Sequence, residues 1–193
     1  PETEELVNLC ASWAASNKIQ DAPLQILEVG TGSGCIAITL QQKMPATIIT
    51  AIDISAEAIE VATINAAKYN APIQFKTFDF LNEANWPELG SFDIIISNPP
   101  YIADIEKESM AGHVLNFEPH TALFVKDNDP LVFYSAIAKF SNKYLHKDGA
   151  VFVEINQALG IQTQDVFEQN NYTTLLKKDL FENDRMIVAT KNK

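Results

Sequence analysis

The hydrophobic period of this chain switches regularly between that of a helix and that of a strand, an alternation that commits a sequence to helices layered on a largely parallel sheet. Residues 3–17 set Leu6, Leu9, Cys10, Trp13 and Ala14 on one helical stripe, with Glu4 and Glu5 in the first turn, where acids complement the helix dipole. Gln25–Val29 is a short apolar run that stops at glycines, and a helix from about Cys35 to Lys43 follows. Ile48–Ile54 is β-branched and nearly continuous, the mark of a strand buried on both faces. Ser55 then caps a helix through Tyr69, with Ile59, Ala62 and Ala66 as its inner stripe. Strand-like runs recur at Ile73–Phe78, Phe92–Ser97 and Ala150–Ile155. Between the last two, Asp129 and Pro130 stand at the N-cap and N1 positions of a helix reaching about Tyr144, and Gly149 breaks the chain before the next strand. After a helix near 158–169, the runs Thr173–Lys178 and Arg185–Thr190 are joined so closely that they must be antiparallel. The expected fold is α/β: a doubly wound, mainly parallel sheet with a C-terminal antiparallel hairpin. In such sheets ligands bind outside the carboxyl ends of the strands.

The chain's 193 residues, 47% of them hydrophobic, suit one domain with a real core. No run approaches the ~18 apolar residues that a membrane span requires, and no signal peptide opens the chain. Cys10 and Cys35 form neither a disulfide framework nor a zinc cluster, and they suit a reducing, cytoplasmic compartment. The net charge of −11 argues against a surface that grips nucleic acid through its phosphates.

Leu27-Glu28-Val29-Gly30-Thr31-Gly32-Ser33-Gly34 joins the first strand to its helix. Alternate glycines let the backbone turn sharply and let a ligand approach main-chain atoms. The spacing G-x-G-x-G is neither the dinucleotide fingerprint nor, without a following Lys-Ser/Thr, a phosphate loop. By itself such a turn also serves as a plain strand-to-helix connection. Asp53, at the end of the second strand, stands where a carboxylate can accept both hydroxyls of a ribose. Asp79, at the end of the third, can accept from an adenine amino group with the Phe80 ring against the base; an aspartate at a loop or helix start is the plainer alternative. A ribose and an adenine held without a phosphate loop point to S-adenosylmethionine, with S-adenosylhomocysteine as its product. Glu28 either adds a countercharge near the methionine end or satisfies backbone donors of the turn.

The fourth strand runs directly into Asn98-Pro99-Pro100-Tyr101. Two prolines end the ladder and fix φ, which a stiff turn alone would explain. The sequence also suits chemistry on an amide or exocyclic amino nitrogen, whose lone pair is delocalised. The Asn98 carboxamide oxygen and the Pro99 carbonyl can each accept one N–H of the target NH₂, aiming its lone pair at a methyl donor and stabilising charge that develops on nitrogen. Pro99 and Pro100 keep the acceptors from relaxing, and Tyr101 supplies a wall for a flat group. The histidines His113, His120 and His146 share no metal-ligand spacing, so no metal is expected. Cys35, at a helix start, reads as a buried rather than a nucleophilic thiol.

The glycine turn, Asp53, Asp79 and Asn-Pro-Pro-Tyr, in this order, resemble a class I S-adenosylmethionine-dependent methyltransferase of the amino-nitrogen type, with a Rossmann-like fold. More narrowly, Pro1-Glu2-Thr3-Glu4-Glu5-Leu6-Val7, the Glu28–Gly34 loop, Ser97-Asn98-Pro99-Pro100-Tyr101-Ile102 and Phe117-Glu118-Pro119-His120-Thr121-Ala122-Leu123 resemble the peptide chain release factor glutamine methyltransferases, the HemK/PrmC family. The resemblance spans essentially the whole chain. It implies methylation, in translation termination, of the side-chain amide nitrogen (N5) of the glutamine in the Gly-Gly-Gln motif of class I release factors. Glu28, Gly30, Thr31, Gly32, Ser33, Gly34, Asp53, Asp79, Phe80 and Asn98 would hold the cofactor. Asn98, Pro99, Pro100 and Tyr101 would hold the glutamine, with Asn98, Pro99 and Tyr101 catalytic. The match departs from the family at Phe80, where a tryptophan is usual. Family members also carry an N-terminal helical domain ahead of the Pro-Glu-Thr-Glu segment, so residues 1–193 are expected to be the catalytic domain. Two other readings of the same motifs are a DNA or RNA amino-group methyltransferase and a module that binds the cofactor without turnover.

Overall fold

The computed structural model describes residues 2–17, 23–100, 102–103, 124–125 and 129–192. Its central sheet has seven strands: β1 (Gln25–Val29), β2 (Ile48–Asp53), β3 (Ile73–Thr77), β4 (Phe92–Ser97), β7 (Leu145–Glu154), β8 (Tyr172–Lys178) and β9 (Asp184–Lys191). A separate parallel pair joins β5 (Ile102–Ala103) to β6 (Phe124–Val125). The order in the large sheet is β3-β2-β1-β4-β7-β9-β8. The first five strands are parallel, and β9 inserts antiparallel between β7 and β8. The expected doubly wound sheet with its antiparallel C-terminal hairpin is therefore the observed one.

Helices α1 (Glu2–Asn17), α2 (Cys35–Lys43), α3 (Ala56–Lys68), α4 (Val132–Tyr144) and α5 (Gly160–Gln169) cover the sheet. Strand side chains alternate between its two faces. One set, including Ile26, Ile49, Ile94 and Phe152, packs with Leu6, Val7 and Cys10 of α1 and with Ile36, Ala37 and Leu40 of α2. The other, including Leu27, Ile52, Ile95 and Val151, packs with Ile137 and Phe140 of α4, Phe167 of α5 and Trp86 of a short 3₁₀ turn. Both faces of the inner parallel strands are thereby dry, which explains why β2 and β4 read as continuous apolar runs, whereas the edge strand β3 leaves Gln74 and Lys76 exposed. Among the described residues no helix is long and apolar enough to cross a membrane.

Local chemistry explains where the elements begin. The Ser55 hydroxyl accepts from the Ala58 amide, capping α3 as expected. Helix α4 starts later than Asp129-Pro130 suggests: the Asp129 carboxylate instead accepts from the Leu131 amide in a turn ahead of the helix. Gly149 does not separate β7 from what precedes it either, since β7 runs from Leu145 straight through it. The register between β4 and β7 shifts between Phe92 and Ile94. At this irregularity a Cβ on residue 149 would stand 2.5 Å from the Asp93 carbonyl oxygen and 2.8 Å from Leu145 Cδ1. Glycine inside a strand here marks close backbone approach rather than a break. Gly149→Ala is accordingly expected to lower the unfolding free energy by about 1–3 kcal/mol, measured by urea denaturation; a change below about 0.5 kcal/mol would show that the bulge relaxes freely.

Candidate active site

The strand order reverses between β1 and β4, and their register pairs Val29 with Ser97. The chain therefore leaves both strands side by side at the point where open α/β sheets bind ligands. From β1 it enters the glycine loop. Gly30, Gly32 and Gly34 all hold positive φ, at 74°, 53° and 85°. The Gly30 and Thr31 amides both donate to the Ile52 carbonyl at 2.9 Å, which folds the loop back over the end of β2. A Cβ on Gly34 would lie 3.1 Å from Ala62 Cβ, so this glycine lets α2 and α3 pack together. A Cβ on Gly30 or Gly32 would meet nothing within 4 Å, so the loop surface there is open to a ligand.

Asp53 ties the loop to β2. Its Oδ2 accepts from the Gly32 amide at 2.9 Å and its Oδ1 from the Ser55 amide at 3.0 Å. Each oxygen keeps a second lone pair for a ligand hydroxyl. Glu28 is 1% exposed on β1, where Oε2 accepts from the Thr31 hydroxyl at 2.7 Å and the Ala37 amide at 3.1 Å. Its Oε1 has no hydrogen-bond partner. Burial pushes the Glu28 carboxyl up to about 8, against the opposing pull of its two hydrogen bonds and with a smaller push from Asp53. A buried carboxylate oxygen without a donor fits a ligand that brings a cation or an N–H. These acceptors fit a ligand that carries a cation and hydroxyl groups.

Asp79 is exposed at the end of β3, and its Oδ1 accepts from the Leu81 amide at 3.1 Å. Phe80 is different from expectation. Its ring is 4% exposed and packs against Trp86 and Phe140, with centroids 5.7 and 5.3 Å apart, so it offers no open face for stacking. Trp86 Nε1 donates to the Phe80 carbonyl at 2.8 Å, which makes the pair the anchor of the turn that carries Asp79.

On β4, the buried Ser97 hydroxyl donates to the Val29 carbonyl at 2.7 Å, and Asn98, half-buried, follows. Pro99 is buried and Pro100 half-buried, while Tyr101 lies outside the described residues, as do His113, His120 and the Phe117–Leu123 segment. Asn98 Nδ2 donates to Thr3 Oγ1 at 3.2 Å, and Thr3 Oγ1 donates in turn to Glu154 Oε2 at 2.8 Å. Helix α1 thus reaches the strand ends through Thr3, which stands in the Pro1–Val7 segment of the sequence resemblance.

Glu154 belongs to none of the sequence motifs. It is 4% exposed at the end of β7, one register step beyond the Ser97–Val153 pair. Burial raises its carboxyl above the ordinary range; the Thr3 hydrogen bond and the Arg185 cation pull the other way. The signal was available as an acid inside the apolar run Ala150–Ile155, the same pattern as Glu28 within Ile26–Val29. The thiols separate: Cys10 is buried, with its pKa pushed up to about 12 by burial, whereas Cys35 is exposed rather than buried, its Sγ 3.2 Å from Ser33 Oγ. His146 pairs with Asp93 at 2.8 Å, near the Gln25 amide that donates to the same carboxylate. That pair sits at the opposite end of β1 from the glycine loop.

This sheet, with its helical layers and its reversal of strand order between β1 and β4, is the class I methyltransferase fold. It matches the structure of a ribosomal protein L11 methylase from Lactobacillus delbrueckii subsp. bulgaricus with a TM-score of 0.65 and 22% identity, over 98% of this chain and 79% of that one. A family model described as methyltransferase small domain matches residues 15–125, and the chain belongs to that family. Among curated proteins it is 42% identical to a release factor glutamine methyltransferase of Flavobacterium psychrophilum, over 97% of this chain and 65% of that protein. It is 40% identical to one of Bacteroides thetaiotaomicron, over 99% and 66%. The chain spans just under two thirds of the length of these relatives.

The Glu28 carboxyl makes stability depend on pH. Because its folded value of about 8 lies above the ordinary 4.5, the contribution of the protonated group is fully present below about 4.5 and is lost as pH rises through 8. Glu28→Gln keeps an acceptor for Thr31 and Ala37 and removes the titration. The melting temperature of the variant relative to the parent is expected to rise between pH 5 and pH 8.5 in ligand-free protein. A constant difference across that range would place an ionised carboxylate at Glu28 throughout.

Proposed function

We propose that this protein transfers a methyl group from S-adenosylmethionine to the side-chain amide nitrogen of the glutamine in the Gly-Gly-Gln motif of peptide chain release factors. The observation that carries the reading is the adjacency of the glycine loop and Asn98-Pro99-Pro100 across the Val29–Ser97 register. The identity to release factor glutamine methyltransferases over nearly the whole chain supports the substrate. Gly30, Gly32, Asp53, Asp79 and Glu28 would hold the cofactor, with Thr31, Ser33 and Gly34 shaping the loop. When bound, the cofactor supplies a methyl group on a positively charged sulfur.

Asn98 Oδ1 and the Pro99 carbonyl would accept the two N–H groups of the glutamine amide, with Pro100 and Tyr101 bounding the amide plane. Those two acceptors orient the nitrogen and stabilise positive charge growing on it, an effect that preorganised dipoles supply without reorganisation. Transfer to the nitrogen held by Asn98 and Pro99 would form the N–CH₃ bond at the expense of the methyl–sulfur bond, whose electron pair the cofactor would keep. The nitrogen, made acidic by alkylation, loses one proton to solvent, so no strong base is required. A net charge of −11 supplies no phosphate-neutralising groove, which favours a protein amide over a nucleobase amino group.

Labelled S-adenosylmethionine incubated with the protein and a class I release factor should label the factor, and changing the Gly-Gly-Gln glutamine to alanine should abolish labelling. Asn98→Ala should lower kcat/KM by roughly 10²–10³-fold, while calorimetric affinity for the cofactor changes little. Labelling that survives loss of the glutamine, or that appears on DNA or ribosomal RNA instead, would overturn the reading.

A further inference from the structure

A carboxamide is nearly symmetric in shape and opposite in chemistry at its two ends. On the reading above, Asn98 must present oxygen to the target NH₂, yet rotation by 180° would present N–H groups instead and favour a carboxylate. The structure holds a feature that breaks this ambiguity. The Thr3 hydroxyl has one proton and two lone pairs. It gives the proton to Glu154 Oε2 at 2.8 Å, which leaves a lone pair to accept from Asn98 Nδ2 at 3.2 Å. Among the described residues, Asn98 Oδ1 is engaged by no donor.

The polarity of this chain is set at its buried end. The Thr3 hydroxyl donates to Glu154 Oε2 and Asn98 turns its nitrogen toward the Thr3 oxygen; a carboxylate at Glu154 holds that polarity because it only accepts. Glu154 is held in place by its surroundings. The Tyr134 hydroxyl donates to its carbonyl at 3.1 Å, and β9 pairs it with Met186. The Ile155 amide next to it donates to the Arg185 carbonyl at 2.9 Å.

We propose that Glu154, acting through the Thr3 hydroxyl, fixes which end of the Asn98 carboxamide faces the target, and so selects an amide over a carboxylate. Glu154 and Thr3 are positioning residues for the transfer, and this role rests on the proposed methylation of glutamine. The pair also gives helix α1 a role at the strand ends: among the described residues, Thr3 is the side chain that Asn98 Nδ2 donates to.

Three variants separate the alternatives. Thr3→Val keeps the shape and removes both hydrogen bonds; Thr3→Ser keeps the hydroxyl; Glu154→Gln keeps the size and lets the chain run in either direction. With release factor as substrate, Thr3→Val and Glu154→Gln should lower kcat roughly tenfold or more, with cofactor affinity near the parent's, while Thr3→Ser restores most of the rate. A release factor whose Gly-Gly-Gln glutamine is changed to glutamate should inhibit Thr3→Val more tightly than the parent, because the freed Asn98 can turn its N–H groups to the carboxylate. The second readout needs no substrate. In ¹⁵N-labelled protein, the Asn98 side-chain amide protons, identified by their loss in Asn98→Ala, should exchange with solvent faster in Thr3→Val than in the parent or Thr3→Ser. Unchanged exchange in Thr3→Val would overturn the proposed relay. A rate in Thr3→Ser as low as in Thr3→Val, or unchanged inhibition by the glutamate form, would overturn its role in selection. A parent protein that labels no release factor would instead sink the methylation reading, and the exchange measurement would still decide the relay.

Discussion

At the point where the sheet reverses its strand order, the Ser97 hydroxyl donates to the Val29 carbonyl across 2.7 Å, fully buried. This bond and the parallel register beneath it hold the ends of β1 and β4 level. The chain leaves β1 into a glycine turn and β4 into two prolines, so one exit is made of backbone that can fold back and the other of backbone that cannot. The two exits lie next to each other only because β1 and β4 are neighbours. A ligand on the loop and a group held by Asn98 and Pro99 are brought together by sheet topology before any side chain contributes.

Three carboxyl groups sit almost fully buried in strands that are otherwise apolar: Glu28, Asp93 and Glu154. Burying a charge is costly unless it is paired or hydrogen-bonded. Asp93 meets that demand near the amino end of β1, through His146 and the Gln25 amide. Glu28 and Glu154 sit at the carboxyl ends and are less completely satisfied. Glu28 keeps one oxygen without a donor, and burial raises both carboxyls above the ordinary range. The same kind of residue in the same kind of strand is structural at one end of the sheet and poised at the other.

Strand runs such as Ile48–Ile54 and Phe92–Ser97 were legible because a parallel sheet covered on both faces requires continuous β-branched sequence, which few other environments do. The glycine loop and Asp53 were legible because positive φ and a strand-end carboxylate each leave a residue-type signature. What was not legible depends on tertiary packing. Phe80 follows Asp79 in sequence and so reads as a partner for a flat ligand, but Trp86 and Phe140 draw its ring into the core. Gly149 reads as a break because nothing local reveals that the Asp93 carbonyl would lie 2.5 Å from a side chain there. Thr3 and Glu154 lie 151 positions apart, and only the docking of α1 on β7 makes them one unit with Asn98. Glu154 nonetheless carried a usable signal, an acid that interrupts an apolar strand where it ends.

The groups gathered at these strand ends share one property: they accept. The Asp53 and Asp79 carboxylates, Asn98 Oδ1 and the Pro99 carbonyl all offer lone pairs, and the glycine loop has already committed the Gly30, Thr31 and Gly32 amides to Ile52 and Asp53. A phosphate loop does the reverse and turns free N–H groups on its ligand. Acceptors in this number disfavour an anionic cofactor and favour one that carries positive charge and hydroxyl or amino donors. They likewise favour a transition state in which charge moves from sulfur to nitrogen without leaving the neighbourhood of those oxygens. On the proposed reading, the polarity that Glu154 passes to Asn98 extends the same bias to the substrate: a carboxylate would meet repulsion where an amide meets two acceptors. The net charge of −11 and the acceptors at these strand ends are then two scales of one electrostatic preference, for donors and cations over phosphates.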